Sequence, residues 1–393
     1  MSASQNNLLS ISRLRDWKEL SRQWPTDFWL VGGILVLMVL GLIMVASSSI
    51  AISEKRFGEP LHYLISQSMA MGMGAVVGYF VLKIPLLFWE DNRIKMFLFG
   101  ILLLILVLIF GREIGGSKRW LSLGFMNFQV SEFIKMAVII FMAGYLTRHA
   151  SEVKESFQAV MRLGLPFGLM AILLLLEPDY GSTFVVAVII AGMLLIAGAP
   201  WKFFVFTVFP MASLLVMMMI VAPYRRSRIT IFLDPWADPF DKGYQLTQAL
   251  IASGRGEWFG VGMGESVQKL LYLPDAHTDF LFSIFAEEFG LIGIFLLVVL
   301  YLFILYRCFR IGRKAFNKSQ FFGGLIAYGV GIWIILQTII NMGVNLGLLP
   351  TKGLTLPFMS YGGSSLLMLM IAVAFVLRVD YETRHVREEE KSE

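Results

Sequence analysis

Four stretches of this 393-residue sequence hold residue types that can do chemistry. In YLPDAHTDF, residues 272–280, Asp275, His277 and Asp279 alternate just before a long apolar run. Three readings of Asp279 stand side by side. An Asp at a helix start caps free backbone N–H groups and suits the dipole; with Asp275 and His277 it makes a metal-ligand set; alone, it is a catalytic base. In SEFIK, Glu132 and Lys135 stand three apart on one helix face, inside an apolar run where ionisable groups are costly. They either hold the bundle together as a neutral pair or line a polar cavity. In GREIGGSKRW, glycines flank Lys118, Arg119 and Trp120, giving a flexible hairpin with two cations for a pyrophosphate and an indole for a sugar face. An interfacial Trp anchor with basic neighbours is the plainer reading. In LLPTKGLTLPFMSYGGSS, residues 348–365, Pro350, Gly353, Pro357, Gly362 and Gly363 break helical geometry. Near a membrane, irregular backbone is tolerated only inside protein or beside water, so Lys352 is expected to point at a polar outer cavity.

The elements that position these residues are membrane helices. With 57% apolar and 16% charged residues, the surplus of apolar side chains is too large for a soluble core. Apolar runs at 28–48, 61–82, 96–110, 132–147, 163–176, 182–199, 202–222, 280–306, 321–343 and 356–377 predict about ten transmembrane helices. The expected fold class is therefore an all-α polytopic membrane protein. Its one large extracytoplasmic loop, 223–278, lies between helices 7 and 8 and includes a short helix at QLTQALIASG. Short segments on the side of the termini carry 20 Lys and Arg against 6 on the other, which makes both termini cytoplasmic. The net charge of +5 is thus a topology signal, and nucleic acid drops out as a partner. Residues 1–27 form a cytoplasmic segment, loosely amphipathic over 8–24 and suited to an anionic membrane surface. Residues 28–377 form the membrane domain, and 378–393 a cytoplasmic tail. Cys308 is the only cysteine, so no intramolecular disulfide exists. No cytoplasmic segment is long enough for a nucleotide-binding domain, and no phosphate-binding GxxxxGK[ST] occurs.

Taken together, GSKRW (116–120), SEFIK (131–135), EPDYG (177–181), DPWAD (234–238), YLPDAHTDF and the 348–365 stretch resemble the SEDS family (shape, elongation, division and sporulation). The resemblance spans about Phe28 to Arg378 and favours the division-type branch, because LLPTKGLTLP carries Lys352, which elongation-type members usually lack. Val130 stands where a proline is usual, and Asp275 where a glutamate is usual.

The resemblance implies a peptidoglycan glycosyltransferase that polymerises lipid II on the outer face of the cytoplasmic membrane during septal wall synthesis. It carries the catalytic role to Asp279. Extending a glycan needs a base for the acceptor hydroxyl, while polyprenyl pyrophosphate leaves without a general acid. Lys118, Arg119, Trp120, Glu132, Lys135, His277 and Lys352 are the expected substrate-binding residues, with cations steadying the departing undecaprenyl pyrophosphate. A helix end would lower the Asp pKa, so the alternative is that Asp279 holds a divalent cation, Mg2+ or Mn2+. No cofactor is otherwise expected. The implied partners are a class B penicillin-binding protein, a single-span transpeptidase, and other divisome proteins. A lipid II flippase and a non-catalytic divisome scaffold are the competing classes.

Overall fold

The computed structural model describes residues 27–114, 117–122, 124, 127–202, 232–350 and 353–392. The apolar runs fold as helices because a chain crossing hydrocarbon must satisfy its own backbone N–H and C=O groups. In chain order they are α1 (Phe28–Phe57), α2 (His62–Lys83), the short α3 (Leu86–Asp91), α4 (Arg93–Phe110) and α5 (Val130–Arg148). Next come the short α6 (Ala150–Glu155) and α7 (Phe157–Met161), then α8 (Gly164–Leu176), α9 (Tyr180–Ile196) and α10 (Tyr244–Arg255). The chain continues through α11 (Leu281–Phe316), α12 (Phe321–Asn345) and α13 (Gly363–Ser392). Among the described residues, eight stretches are long and apolar enough to cross a membrane, and α9 is a shorter apolar helix. They account for every expected run except 202–222, of which only Lys202 is described. The amphipathic segment expected at 8–24 also lies outside the described residues, as do residues 223–231.

Three helices form the centre. The apolar windows of α5, α12 and the first part of α13 are 78%, 72% and 78% buried, against 28% for α2 and α4, which face outward. On α12, Gln337, Asn341 and Asn345 stand on one buried face, where each finds a protein partner.

One expectation is corrected and another extended. The run at 356–377 does not start a helix at 356: residues 353–362 stay irregular and α13 begins at Gly363, after which it passes residue 377 without a break. Neighbouring helices satisfy that irregular backbone, with Gln67 of α2 donating to the Ser360 carbonyl, Tyr301 of α11 to that of Pro357 and Gln337 of α12 to that of Thr355. The segment after α4 pairs as a hairpin and also takes up a third strand. It is a three-stranded antiparallel sheet of β1 (Arg112–Ile114), β2 (Ser117–Ser122) and β3 (Asn127–Gln129), with Trp120 opposite Gln129 and Leu121 opposite Phe128.

The 36-residue α11 is bent at Gly290, whose φ of 64° and ψ of −166° lie outside helical geometry. Backbone from the preceding loop fills the break. Val261 and Gly262 donate to the carbonyls of Glu287 and Glu288, while Leu291 and Ile292 donate to those of Glu257 and Trp258. A Cβ on Gly290 would lie 2.3 Å from the Gly260 nitrogen, so only glycine allows this approach. Two ion pairs pin the same loop to α11: Arg255 to Glu287 at 2.7 Å and Lys269 to Glu288 at 2.9 Å. Both glutamates are structural contacts, each a buried carboxylate met by a cation from the loop.

Candidate active site

Residues 272–280 run into α11 as a series of turns. Asp275, at φ 53°, turns the chain back so that Thr278 and Phe280 both donate to its carbonyl. His277 is buried, its ring 4.3 Å from that of Tyr63 and 5.8 Å from that of Tyr361, and its carbonyl accepts from the Tyr361 N–H at 2.9 Å. Burial pulls its imidazole from 6.5 down to about 4 against the opposing pull of Asp275, so it is neutral at physiological pH. Its surroundings are aromatic, and it braces the turn from behind.

Asp279 is half-buried at the end of this turn series. The helix cap at α11 is Phe280, and no side chain caps that helix, so Asp279 is not its N-cap. Among the described residues no donor or cation bonds the Asp279 carboxylate. Its main-chain carbonyl is held instead, accepting from the Nδ2 groups of Asn341 and Asn345, each at 2.9 Å. The 353–355 segment lies over the carboxylate. A Cβ built on Gly353 would stand 2.6 Å from Asp279 Oδ2, so this glycine is where the backbone closes against the acid. Burial, and then the charge of Asp275, push Asp279 from 3.8 up to about 7. The helix-end expectation of a lowered pKa is reversed: the carboxylate accepts none of the free N–H groups of the helix, and what surrounds it disfavours its charge.

Glu132 and Lys135 sit in the first two turns of α5, where a carboxylate suits the helix dipole. They pair at 2.7 Å, both buried. Lys135 also donates to Gln337 Oε1 at 3.3 Å and lies 5.2 Å from the Trp333 ring centre. Gln337 receives the Trp333 indole N–H at 2.9 Å and donates to the Thr355 carbonyl at 2.9 Å. Lys135 is therefore enclosed in a network of side chains rather than lining an open cavity. That network ends on the residue two positions after Gly353.

The sheet presents its three predicted residues differently. Lys118 is exposed, whereas Arg119 and Trp120 are half-buried. Arg119 reaches the turn between α8 and α9, donating to the carbonyls of Glu177 at 3.1 Å and Pro178 at 2.5 Å, with Asp179 4.0 Å away. Its guanidinium is thus engaged in holding EPDYG. Asp179 accepts from the Ser182 N–H at 3.1 Å, and Ser182 Oγ lies 3.2 Å from that of Ser131, beside Glu132. Burial, and then Asp179, raise Glu177 to about 8. At the other edge of the sheet, Ser364 of α13 donates to the Asn127 carbonyl at 2.9 Å and accepts from the Gln129 N–H at 3.0 Å.

The structure thus brings Asp279, α12 and the 353–355 segment together, ties Lys135 to the same segment through Gln337, and clamps Arg119 to the 177–179 turn. Lys352 lies outside the described residues, although its neighbour Gly353 touches Asp279. Asp275, His277 and Asp279 do not converge as ligands: among the described residues no group of three or more His, Cys, Asp or Glu is placed to hold a metal ion. Sequence reasoning missed Gln337, Asn341 and Asn345. Their signal was present as carboxamides at four-residue spacing on one face of an apolar run, a stripe that costs free energy in a membrane unless each amide is used.

The family model described as Cell cycle protein, which spans FtsW, RodA and SpoVE, matches residues 28–385. The chain belongs to this family. A relative from Hydrogenovibrio crunogenus, named "Probable peptidoglycan glycosyltransferase FtsW", is 73% identical over 371 residues, 94% of this chain and 95% of that one. One of the same name from Coxiella burnetii is 47% identical over 94% of this chain and 100% of its own. Among solved structures, a chain from a study of how a peptidoglycan synthase complex coordinates polymerization and crosslinking superposes with a TM-score of 0.75. It is 28% identical and covers 92% of this chain and 99% of that one. The rod shape determining protein RodA of Thermus thermophilus superposes with a TM-score of 0.68 at 26% identity, over 90% of this chain and 96% of its own. Membership of this Cell cycle family covers every motif discussed above.

Proposed function

We propose that this membrane protein is a peptidoglycan glycosyltransferase of the division type, polymerising lipid II into glycan strands. The observation that carries the reading is the Asp279 carboxylate. It stands at the end of the bundle that carries the large loop, is roofed by Gly353, is met by no described donor, and has a pKa near the working pH. Such a group is a competent base for the 4-hydroxyl of an acceptor sugar. Attack on the anomeric carbon then inverts it, and polyprenyl pyrophosphate departs carrying its own negative charge. The exposed Lys118 and, from its sequence position, Lys352 are suited to steady that charge, whereas Arg119 acts by holding the turn at 177–179. Glu132 and Lys135 support the 353–355 segment from below.

Among the described residues no group of His, Cys, Asp and Glu is placed to form a resident metal site. If Mg2+ or Mn2+ takes part, it arrives with the pyrophosphate, and polymerisation with and without a chelator reads this directly. Charge asymmetry supports cytoplasmic termini and an extracytoplasmic catalytic end. The division-type motifs support a septal location and a class B penicillin-binding protein as partner, since no domain of this chain could cross-link strands. In reconstituted vesicles with that transpeptidase, wild type should polymerise labelled lipid II and Asp279→Asn should not. Lipid II moving between leaflets with no polymer formed would make the chain a flippase. Polymer from Asp279→Asn at the wild-type rate would end the base assignment.

A further inference from the structure

The carbonyl of Asp279 is held in an unusual way. Asp279 lies just before the Phe280 cap of α11, four residues ahead of Ser283 and outside the helical bond pattern. Here the side chain of Asn345 stands between them. Its Nδ2 donates to the Asp279 carbonyl at 2.9 Å, while its Oδ1 accepts from the Ser283 N–H at 3.2 Å and the Ser283 hydroxyl at 2.7 Å. One carboxamide thus bridges the Asp279 carbonyl and the first turn of α11, where the Ser283 N–H also reaches the Phe280 carbonyl at 3.1 Å. Asn341, one turn earlier on α12, adds a second donor to the same carbonyl at 2.9 Å and gives its other N–H to the Leu354 carbonyl at 2.6 Å. A single side chain therefore ties together the two segments that meet at the acid, the one that carries Asp279 and the one that covers it.

We propose that Asn341 and Asn345 are positioning residues for the glycosyl-transfer base, holding the Asp279 main chain off α11 so that its carboxylate faces Gly353 instead of capping the helix. The inference rests on the reading of Asp279 as the base. Chemistry and placement support it. Replacing either amide by an apolar residue removes one of the two donors to the Asp279 carbonyl, and replacing both strands it. Both amides sit on α12, one of the most buried helices of the bundle, so the clamp is mounted on a rigid element. Among the described residues, the charge of Asp275 acts on the carboxylate and the backbone of Gly353 closes against it, while the neutral amides of α12 hold the main-chain carbonyl; Lys352 precedes that glycine outside the described residues. A clamp of this kind fixes orientation without adding charge, which leaves the acid titrating in the range where it works.

The test compares wild type, Asn341→Leu, Asn345→Leu and Asn345→Asp in vesicles with the transpeptidase and labelled lipid II. Asn345→Asp keeps the acceptor for Ser283 and removes the donor to Asp279, but it also buries an acid that raises the Asp279 pKa, so the two Leu variants carry the pH readout. Each protein is first checked for monodispersity and thermal melting, and rates are expressed per folded molecule. The expected result is a ten- to hundredfold loss in kcat with KM within about twofold, since misplacement of a catalytic group by about 1 Å costs on the order of a hundredfold. In the two Leu variants the acid limb of the pH–rate profile should also move below its wild-type midpoint as the carboxylate escapes its cover. If the amides only stabilise the bundle, melting temperature and folded yield will fall while kcat per folded molecule and the pH midpoint stay at wild-type values, and the proposal is overturned. The two readings fail separately. If Asp279→Asn polymerises normally, the base assignment is lost. If Asp279→Asn is inactive while the three Asn variants match wild type in kcat and the two Leu variants match it in pH midpoint, only the clamp is lost.

Discussion

Asp279→Asn keeps the side chain's shape and removes its charge, and the structure attaches two opposite consequences to that change. With a pKa raised from 3.8 to about 7, the base is about half ionised at pH 7 and roughly a tenth ionised at pH 6. The wild-type kcat/KM should therefore fall about fivefold over that unit and about tenfold from pH 8 to pH 6. The same shift opposes folding. Between pH ~4 and ~7 the native chain keeps a proton that the unfolded chain has released, so stability falls as pH rises through that window. From 3.8 to about 7 is roughly three pH units, or about 4 kcal/mol once the penalty is fully present near pH 8. Asparagine never bears it. The variant should make no polymer yet melt above wild type at pH 8, with the gap narrowing toward pH 5. The assays are initial rates of lipid II polymerisation between pH 6 and 8, and thermal melts of both proteins in the same detergent at pH 5 and pH 8. A rate that stays flat across pH 6–8, or an Asn variant that melts below wild type at pH 8, would refute a buried base with a raised pKa.

Three further outcomes follow from the same geometry. Gly353→Ala places a Cβ 2.6 Å from Asp279 Oδ2, so polymerisation should drop about tenfold or more while the charge remains, at a stability cost of about 1–3 kcal/mol; polymer yield on a gel measures it. Lys135→Met strands the buried Glu132 carboxylate and should cost about 3–5 kcal/mol in thermal melts, most of it recovered in the double variant Glu132→Gln/Lys135→Met. Glu177→Gln mimics the protonated acid that a pKa of about 8 implies at pH 7, so it should raise stability there by about 3 kcal/mol and flatten the fall in stability between pH 5 and 8; pH-dependent melts decide it.

Much of the fold could be read from hydropathy, because apolar length in a membrane admits few solutions besides a helix. The limits of that reading lie where polar contacts take over. Helix α13 begins at Gly363 rather than 356, because side chains from three other helices satisfy the irregular backbone of 353–362. Hydropathy counts Leu356 and Phe358 as membrane helix and carries no information about Gln67 or Tyr301. The small sheet escaped for a related reason. Its strands are three to six residues long and are held at their edges by Ser364 and by the reach of Arg119 to residues 177 and 178, partners distant in sequence.

The site divides along the same line. Residue type and position left Asp279 open as a cap, a metal ligand or a base, and the family resemblance carried the catalytic role to it. The same reading also suggested a role for His277 facing substrate, but the structure buries it between Tyr63 and Tyr361, contacts that the sequence separates by 214 and 84 residues. The electrostatics of Asp279 were misread because a helix start normally lowers an Asp pKa, and sequence places Asp279 two residues from one. What reverses the sign is burial, and then the charge of Asp275, while Asn345, 66 residues away, holds the Asp279 main chain in place. Dipole stabilisation requires the carboxylate to accept helix N–H groups; once the main chain is clamped aside, burial under Gly353 outweighs the dipole and the acid keeps its proton to about pH 7. The pattern Gln337, Asn341, Asn345 was the readable trace of that clamp. Three carboxamides on one face of a membrane helix must each be offset by a partner, and the backbone most in need of donors was the irregular chain beside the acid.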